Sequence, residues 1–110
     1  MPGISDRTSR TRDLNDALRR SRGATGRLMC TAGVGADGPA FVAAAINAIA
    51  LFDDFDQDDD PHGEHDFGSL VVYEQQVLWK IDFYEDPDVK SADGSPVARR
   101  VLTIMLAEEY

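Results

Sequence analysis

Cysteine is almost absent from this chain. Cys30 stands alone among 110 residues, so no disulfide framework exists and a reducing compartment fits. Long apolar runs are absent as well. No stretch approaches the roughly 20 residues that a membrane span needs, and the N-terminus carries no signal-peptide core, so we expect a cytoplasmic protein without a membrane partner. Basic residues are scarce, 11 Lys and Arg against 20 Asp and Glu, for a net charge of −9. There is no internal repeat, and no serine sits in a nucleophile-elbow pattern. Cys30 lies inside an apolar run, where a small buried thiol is the ordinary use, so nucleophilic catalysis has little support.

What is present suffices for one core. Hydrophobic residues make up 43% of the chain, enough for a single domain, expected over residues 9–110 behind a frayed segment 1–8. The charge is unevenly laid out. Residues 1–27 hold seven arginines against three aspartates, a net of +4, which leaves the remainder at −13. Such a body repels nucleic acid and attracts basic protein surfaces or cations. The arginines are expected to form i,i+4 pairs along a helix.

Apolar spacing organises the chain. From Ser9 or Thr11 onward, Leu14, Ala17 and Leu18 form a narrow helical stripe that Gly23 and Gly26 end. Arg27 to Ala32 reads as a strand buried on both faces, and Gly33 to Gly38 as a loop. Pro39 opens a helix carrying Phe41, Val42, Ala45, Ile46, Ile49 and Phe52. Phe67–Tyr73 and Val77–Tyr84 alternate as strands, joined by a turn at Glu74-Gln75-Gln76. In the second strand Val77, Trp79, Ile81 and Phe83 share the core face. Trp79, Tyr73 and Phe83 are expected in the core rather than as stacking platforms. After an acidic loop, Glu85 to Gly94, the pair Ser95-Pro96 caps a closing amphipathic helix with Val97, Val101, Ile104 and Met105. The expected fold class is α+β, a small single domain in the order α-β-α-β-β-α, with about three strands, an antiparallel hairpin and helices packed on the sheet.

Between the central helix and the hairpin lies the densest chemistry. Asp53 to Gly68 holds eight carboxylates and both histidines of the protein. Carboxylates at a helix C-terminus oppose its dipole, so stabilising that helix is not their role. Asp54-x-Asp56-x-Asp58 resembles the first ligands of a calcium loop, but Asp59 stands where glycine is required and His65 where the bidentate glutamate belongs. Gly33-x-Gly35-x-x-Gly38 matches a dinucleotide-binding pattern, yet Pro39 starts the helix too late and no second parallel strand follows. His62, Glu64, His65 and Asp66 are the candidate ligands for a divalent metal, which would support a hydrolase or nuclease. The plainer reading is that the histidines hydrogen-bond Asp60 and Asp66 and fix the loop where it enters the strand.

Asp60-Pro-His-Gly-Glu-His-Asp-Phe-Gly68, Leu78-Trp-Lys-Ile-Asp-Phe-Tyr84 and Arg99-Arg-Val-Leu-Thr-Ile-Met-Leu-Ala-Glu-Glu-Tyr110 carry a resemblance that Leu14-Asn-Asp16 and Thr31-Ala-Gly-Val34 extend over nearly the whole chain. The chain resembles a family of small alphaproteobacterial proteins, a domain of unknown function often met on plasmids and other mobile elements. The resemblance implies a fold and a genomic setting rather than a reaction. By analogy, small acidic proteins of such elements inhibit host defence, as anti-CRISPR and anti-restriction proteins do.

Two functions follow as expectations. The first is a non-enzymatic binding protein that needs no cofactor and touches no nucleic acid itself. Its acidic face comprises Asp53, Asp54, Asp56, Asp58, Asp59 and Asp60 with Asp82, Glu85, Asp86 and Asp88, and it covers a basic surface on a nucleic-acid-handling complex by imitating phosphate charge. The second is a metal-dependent hydrolase on His62, Glu64, His65 and Asp66. The first is preferred because a polyanion is a poor nuclease unless metal neutralises it.

Overall fold

The computed structural model describes residues 6–90, 92–94 and 96–110, with the side chains of 84–90 and 96–98 outside that description. Helix α1 (Asp6–Arg20) leads to strand β1 (Arg27–Cys30), a short helix α2 (Ala32–Ala36) and helix α3 (Pro39–Ala50). Strands β2 (Phe67–Val72), β3 (Gln75–Lys90) and β4 (Pro96–Leu106) follow, and a 3-10 turn, Ala107–Glu109, closes the chain. The class is α+β, as expected. The sheet has four strands in the order β1-β4-β3-β2, with β1 parallel to β4 and the other pairs antiparallel.

The largest departure from the sequence reading is at the C-terminus. The expected closing helix is β4, an interior strand flanked by β1 and β3. Val101, Leu102, Ile104, Met105 and Leu106 are all buried, Leu102, Ile104 and Leu106 in the core beneath the helices and Val101 and Met105 on the opposite face. A strand covered on both faces reads as a continuous apolar run, and such a run fits helical spacing equally well. The acidic segment after Tyr84 likewise continues β3 as far as Lys90 rather than forming a loop.

Smaller corrections share one cause, neighbours that local pattern does not reveal. β1 is an edge strand with Met29 47% exposed, not a strand buried on both faces. Within the expected glycine loop, Ala32–Ala36 is a helical turn whose Val34 enters the core. Helix α1 begins by Asp6, so residues 6–8 are helical. The hairpin turns at Tyr73-Glu74, one residue early, with both at positive φ as a two-residue turn of this hand requires. Tyr73 and Phe83 are 66% and 62% exposed, outside the core that Val77, Trp79 and Ile81 form as expected.

Helix α3 lies over the sheet, burying Phe41, Ala45 and Ile49 against Trp79, Ile104 and their neighbours. Helix α1 is different. Leu14 of its expected stripe is 46% exposed, and the buried positions are Asn15, Asp16, Leu18 and Arg19. Three polar side chains are turned inward, and what they meet defines the site.

Candidate functional site

Arg19 is 1% exposed, which costs several kcal/mol unless its charge and donors are met. Two elements meet its charge and its Nη donors, while Nε stays without a hydrogen-bond partner among the described residues. Nη2 donates to Asp16 Oδ1 at 2.6 Å, one helical turn back. Nη1 donates to the carbonyls of Ile49 and Phe52, each at 2.9 Å. These carbonyls belong to the end of α3, where peptide dipoles leave partial negative charge. The guanidinium supplies the cation that the aspartates after α3 cannot. Its carbon also lies 5.1 Å from the Phe55 ring centre and 5.2 Å from that of Trp79.

His65 joins this arrangement from the far side of the acidic run. An ionised carboxylate only accepts, so His65 Nδ1 carries the proton it donates to Asp16 Oδ1 at 2.9 Å. Its Nε2 faces Asp60 Oδ2 at 3.7 Å. Phe55 stacks flat on the imidazole, centroids 3.7 Å apart and planes 2° from parallel, and meets Trp79 edge-on. Asp60 is buried and accepts the backbone N–H groups of Glu64 and His65 on Oδ1, which holds His65 at φ 54°. Asn15 Nδ2 donates to the Glu64 carbonyl at 3.0 Å. Burial pushes the Asp16 carboxyl up, but hydrogen bonds from Arg19 and His65 and their charges more than offset it, so its pKa is held below the ordinary 3.8.

The expected loop-fixing role of the histidines is therefore carried by His65, with a different partner. Asp16, 49 residues upstream, receives its proton, while the Asp66 carbonyl accepts Ile81 N–H at the start of the sheet ladder. His62 is exposed and Glu64 half-buried. Among the described residues no three His, Cys, Asp or Glu side chains gather in a group suited to a metal ion.

The acidic residues divide into supports and display. Asp56 accepts the N–H groups of Asp58 and Asp59 on Oδ1, and Asp60 N–H donates to the Asp56 carbonyl at 2.8 Å. Asp60 faces inward. Asp53, Asp54, Asp58 and Asp59 are exposed beside Phe55, which plugs the loop onto the cluster. Asp82 is not part of this surface. Strand alternation puts it on the opposite face of the sheet, paired with Lys80 at 3.1 Å. The side chains of Glu85, Asp86 and Asp88 lie outside the described residues.

The model of the family described as "Protein of unknown function (DUF3768)" matches residues 30–109. The chain belongs to the DUF3768 family. No curated protein and no solved structure matches it. The match to DUF3768 takes in the acidic loop, His65 and all of β2 to β4, while Asn15, Asp16 and Arg19 fall before it.

Those three are the residues that apolar periodicity misses. Two signals point to them: polar residues flanking Leu18 on the inward face of α1, and one aromatic, Phe55, amid aspartates. A groove between α1 and the β3–β4 hairpin also escapes the sequence reading. It measures about 370 Å³ and is lined by Leu14, Ala17, Phe83, Arg99 and Arg100 among others. Arg100 sits 4.7 Å over the Phe83 ring there. Among the described residues, no helix is long and apolar enough to cross a membrane.

Proposed function

We propose that this DUF3768 protein is a non-enzymatic binding protein whose loop, Asp53 to Asp59, docks on a basic protein surface. The supporting observation is the division of labour within the loop. Asp53, Asp54, Asp58 and Asp59 are exposed, while the backbone beneath them is held by Asp56, by Phe55 stacked on His65, and by the buried Asp16–Arg19 pair. Carboxylates on a fixed backbone bind without first ordering a loop, which saves conformational entropy. The fitting partner is a channel or cleft that otherwise holds a phosphate backbone, as in restriction and CRISPR effectors of the cytoplasm and of mobile-element conflict.

Displacement of a fluorescent duplex DNA from such effectors tests this proposal. The protein should compete at about 50 mM salt and lose most of that competition by about 300 mM, as screening of exposed charge requires. Competition unaffected by salt, or absent across the effectors, would refute it. The alternative, a metal-dependent hydrolase on His62, Glu64, His65 and Asp66, predicts a bound divalent ion by elemental analysis of untagged protein, lost in His65→Ala.

A further inference from the structure

The two edges of the sheet are built differently. β1 is four residues long and carries Arg27, the short and charged form that discourages pairing with another strand. β2 has no such protection. From Phe67 to Tyr73 the chain reads Phe-Gly-Ser-Leu-Val-Val-Tyr, seven residues without charge or proline in a protein of net charge −9. Val71 on this edge is 68% exposed and Tyr73 at its end 66%.

The ladder fixes which backbone groups point outward. Ile81 N–H donates to the Asp66 carbonyl, and the register pairs Phe67 with Lys80 and Gly68 with Trp79. In an antiparallel ladder, hydrogen-bonded pairs alternate, so Gly68, Leu70 and Val72 bond to β3. The N–H and C=O groups of Phe67, Ser69 and Val71 therefore face away from the sheet. Among the described residues none of them has a backbone partner.

We infer that β2 pairs antiparallel with β2 of a second copy of this chain, about a two-fold axis at Ser69. This edge is complementary to itself. An axis at Ser69 places Phe67 opposite Val71 of the other copy and Ser69 opposite Ser69, so all three outward-pointing residues of each strand meet outward-pointing residues. Their side chains share the sheet face remote from the helices, since Gly68, Leu70 and Val72 face the core side. The result is two aromatic–β-branched cross-strand pairs around a central serine pair, both favourable combinations. Tyr110 already stands edge-on against Phe67, 6.2 Å between centroids, and extends that apolar strip. Register selects the occupant: the same three outward-pointing residues meet their own counterparts about the axis, and a closed two-fold contact consumes the edge completely. The edge is uncharged, so it adds no direct like-charge contact to the general repulsion between two bodies of −9.

Salt distinguishes this contact from the docking of the acidic loop. Self-pairing of like-charged bodies strengthens as salt screens their repulsion, whereas docking on a basic surface weakens. Sedimentation equilibrium from micromolar to millimolar protein tests the inference. The wild type should reach twice the chain mass of 12.1 kDa, at lower concentration in high salt. Val71→Lys, at an exposed position, should raise the dissociation constant about tenfold or more with the circular dichroism spectrum unchanged. Ser69→Pro, which removes one outward N–H, should do the same. In a Cys30→Ser background, Ser69→Cys should form a disulfide-linked dimer on oxidation, because directly paired Cα atoms lie about 5.5 Å apart. A monomeric wild type throughout, a dimer indifferent to both edge variants, or a dimer that Ser69→Cys does not cross-link would overturn it.

Discussion

Replacing Arg19 with methionine tests the buried cluster at its centre. Methionine keeps the stem and an adaptable thioether against Phe55 and Trp79, so the cavity stays small. The loss is electrostatic. Asp16 keeps His65 but loses its buried counter-charge, and breaking such a pair from one side costs about 3–5 kcal/mol. The carbonyls of Ile49 and Phe52 lose their Arg19 donor, each loss worth about 1 kcal/mol or more when no water replaces it. Relief from burying the guanidinium offsets part of this, so a net loss of about 4 kcal/mol is expected, a large share of the roughly 5–15 kcal/mol that holds a domain together. With a urea slope near 1.3 kcal/mol/M, the midpoint should fall by about 3 M. Trp79, the only tryptophan and fully buried beside Arg19, reports the transition by fluorescence. Asp16→Asn in the Arg19→Met background should cost less than in the wild type, with a coupling of about 1 kcal/mol or more. A loss below about 1 kcal/mol for Arg19→Met, or strict additivity in the cycle, would refute the reasoning.

Two further outcomes follow from the same geometry. Because the Asp16 carboxyl is held below its ordinary value, folding binds fewer protons there than unfolding does; its stabilisation is full above about pH 4 and is lost as pH falls through the lowered value. Urea midpoints taken from pH 6 down to pH 2.5 should fall through that window, and Asp16→Asn should flatten the fall. Gly68→Ala places a Cβ 2.5 Å from Trp79 Nε1 and 2.6 Å from Cε2, too close for a ring fixed by Phe52 and Phe55 to tolerate, so it should cost about 1–3 kcal/mol and shift the Trp79 emission. A midpoint and emission equal to wild type would contradict that packing.

Much of this molecule was legible where neighbours in sequence are neighbours in space. Helix α3 announces itself through Phe41, Ala45 and Ile49, and the hairpin through the alternation around Val77, Trp79 and Ile81, because one buried face imposes one period. β4 was misread because both its faces are covered, so Val101 to Leu106 carries no period-two signal. The polar face of α1 was illegible for another reason. Asn15, Asp16 and Arg19 are buried against a loop carbonyl, an imidazole and helix-end carbonyls 30 to 50 residues away, and hydrophobicity does not register such partners. The acidic run stood out at once, but telling the carboxylates that hold the loop backbone (Asp56, itself exposed, and the buried Asp60) from the exposed Asp53, Asp54, Asp58 and Asp59 required the hydrogen bonds.

The exposed carboxylates of this loop are the proposed binding surface. The most direct measurement is DNA displacement from a basic effector at low salt by Asp54→Asn/Asp58→Asn/Asp59→Asn, beside His62→Ala, both checked for unchanged urea midpoints. The triple variant should lose competition about tenfold or more while His62→Ala competes as the wild type does. A triple variant that competes as well as the wild type would contradict the central claim.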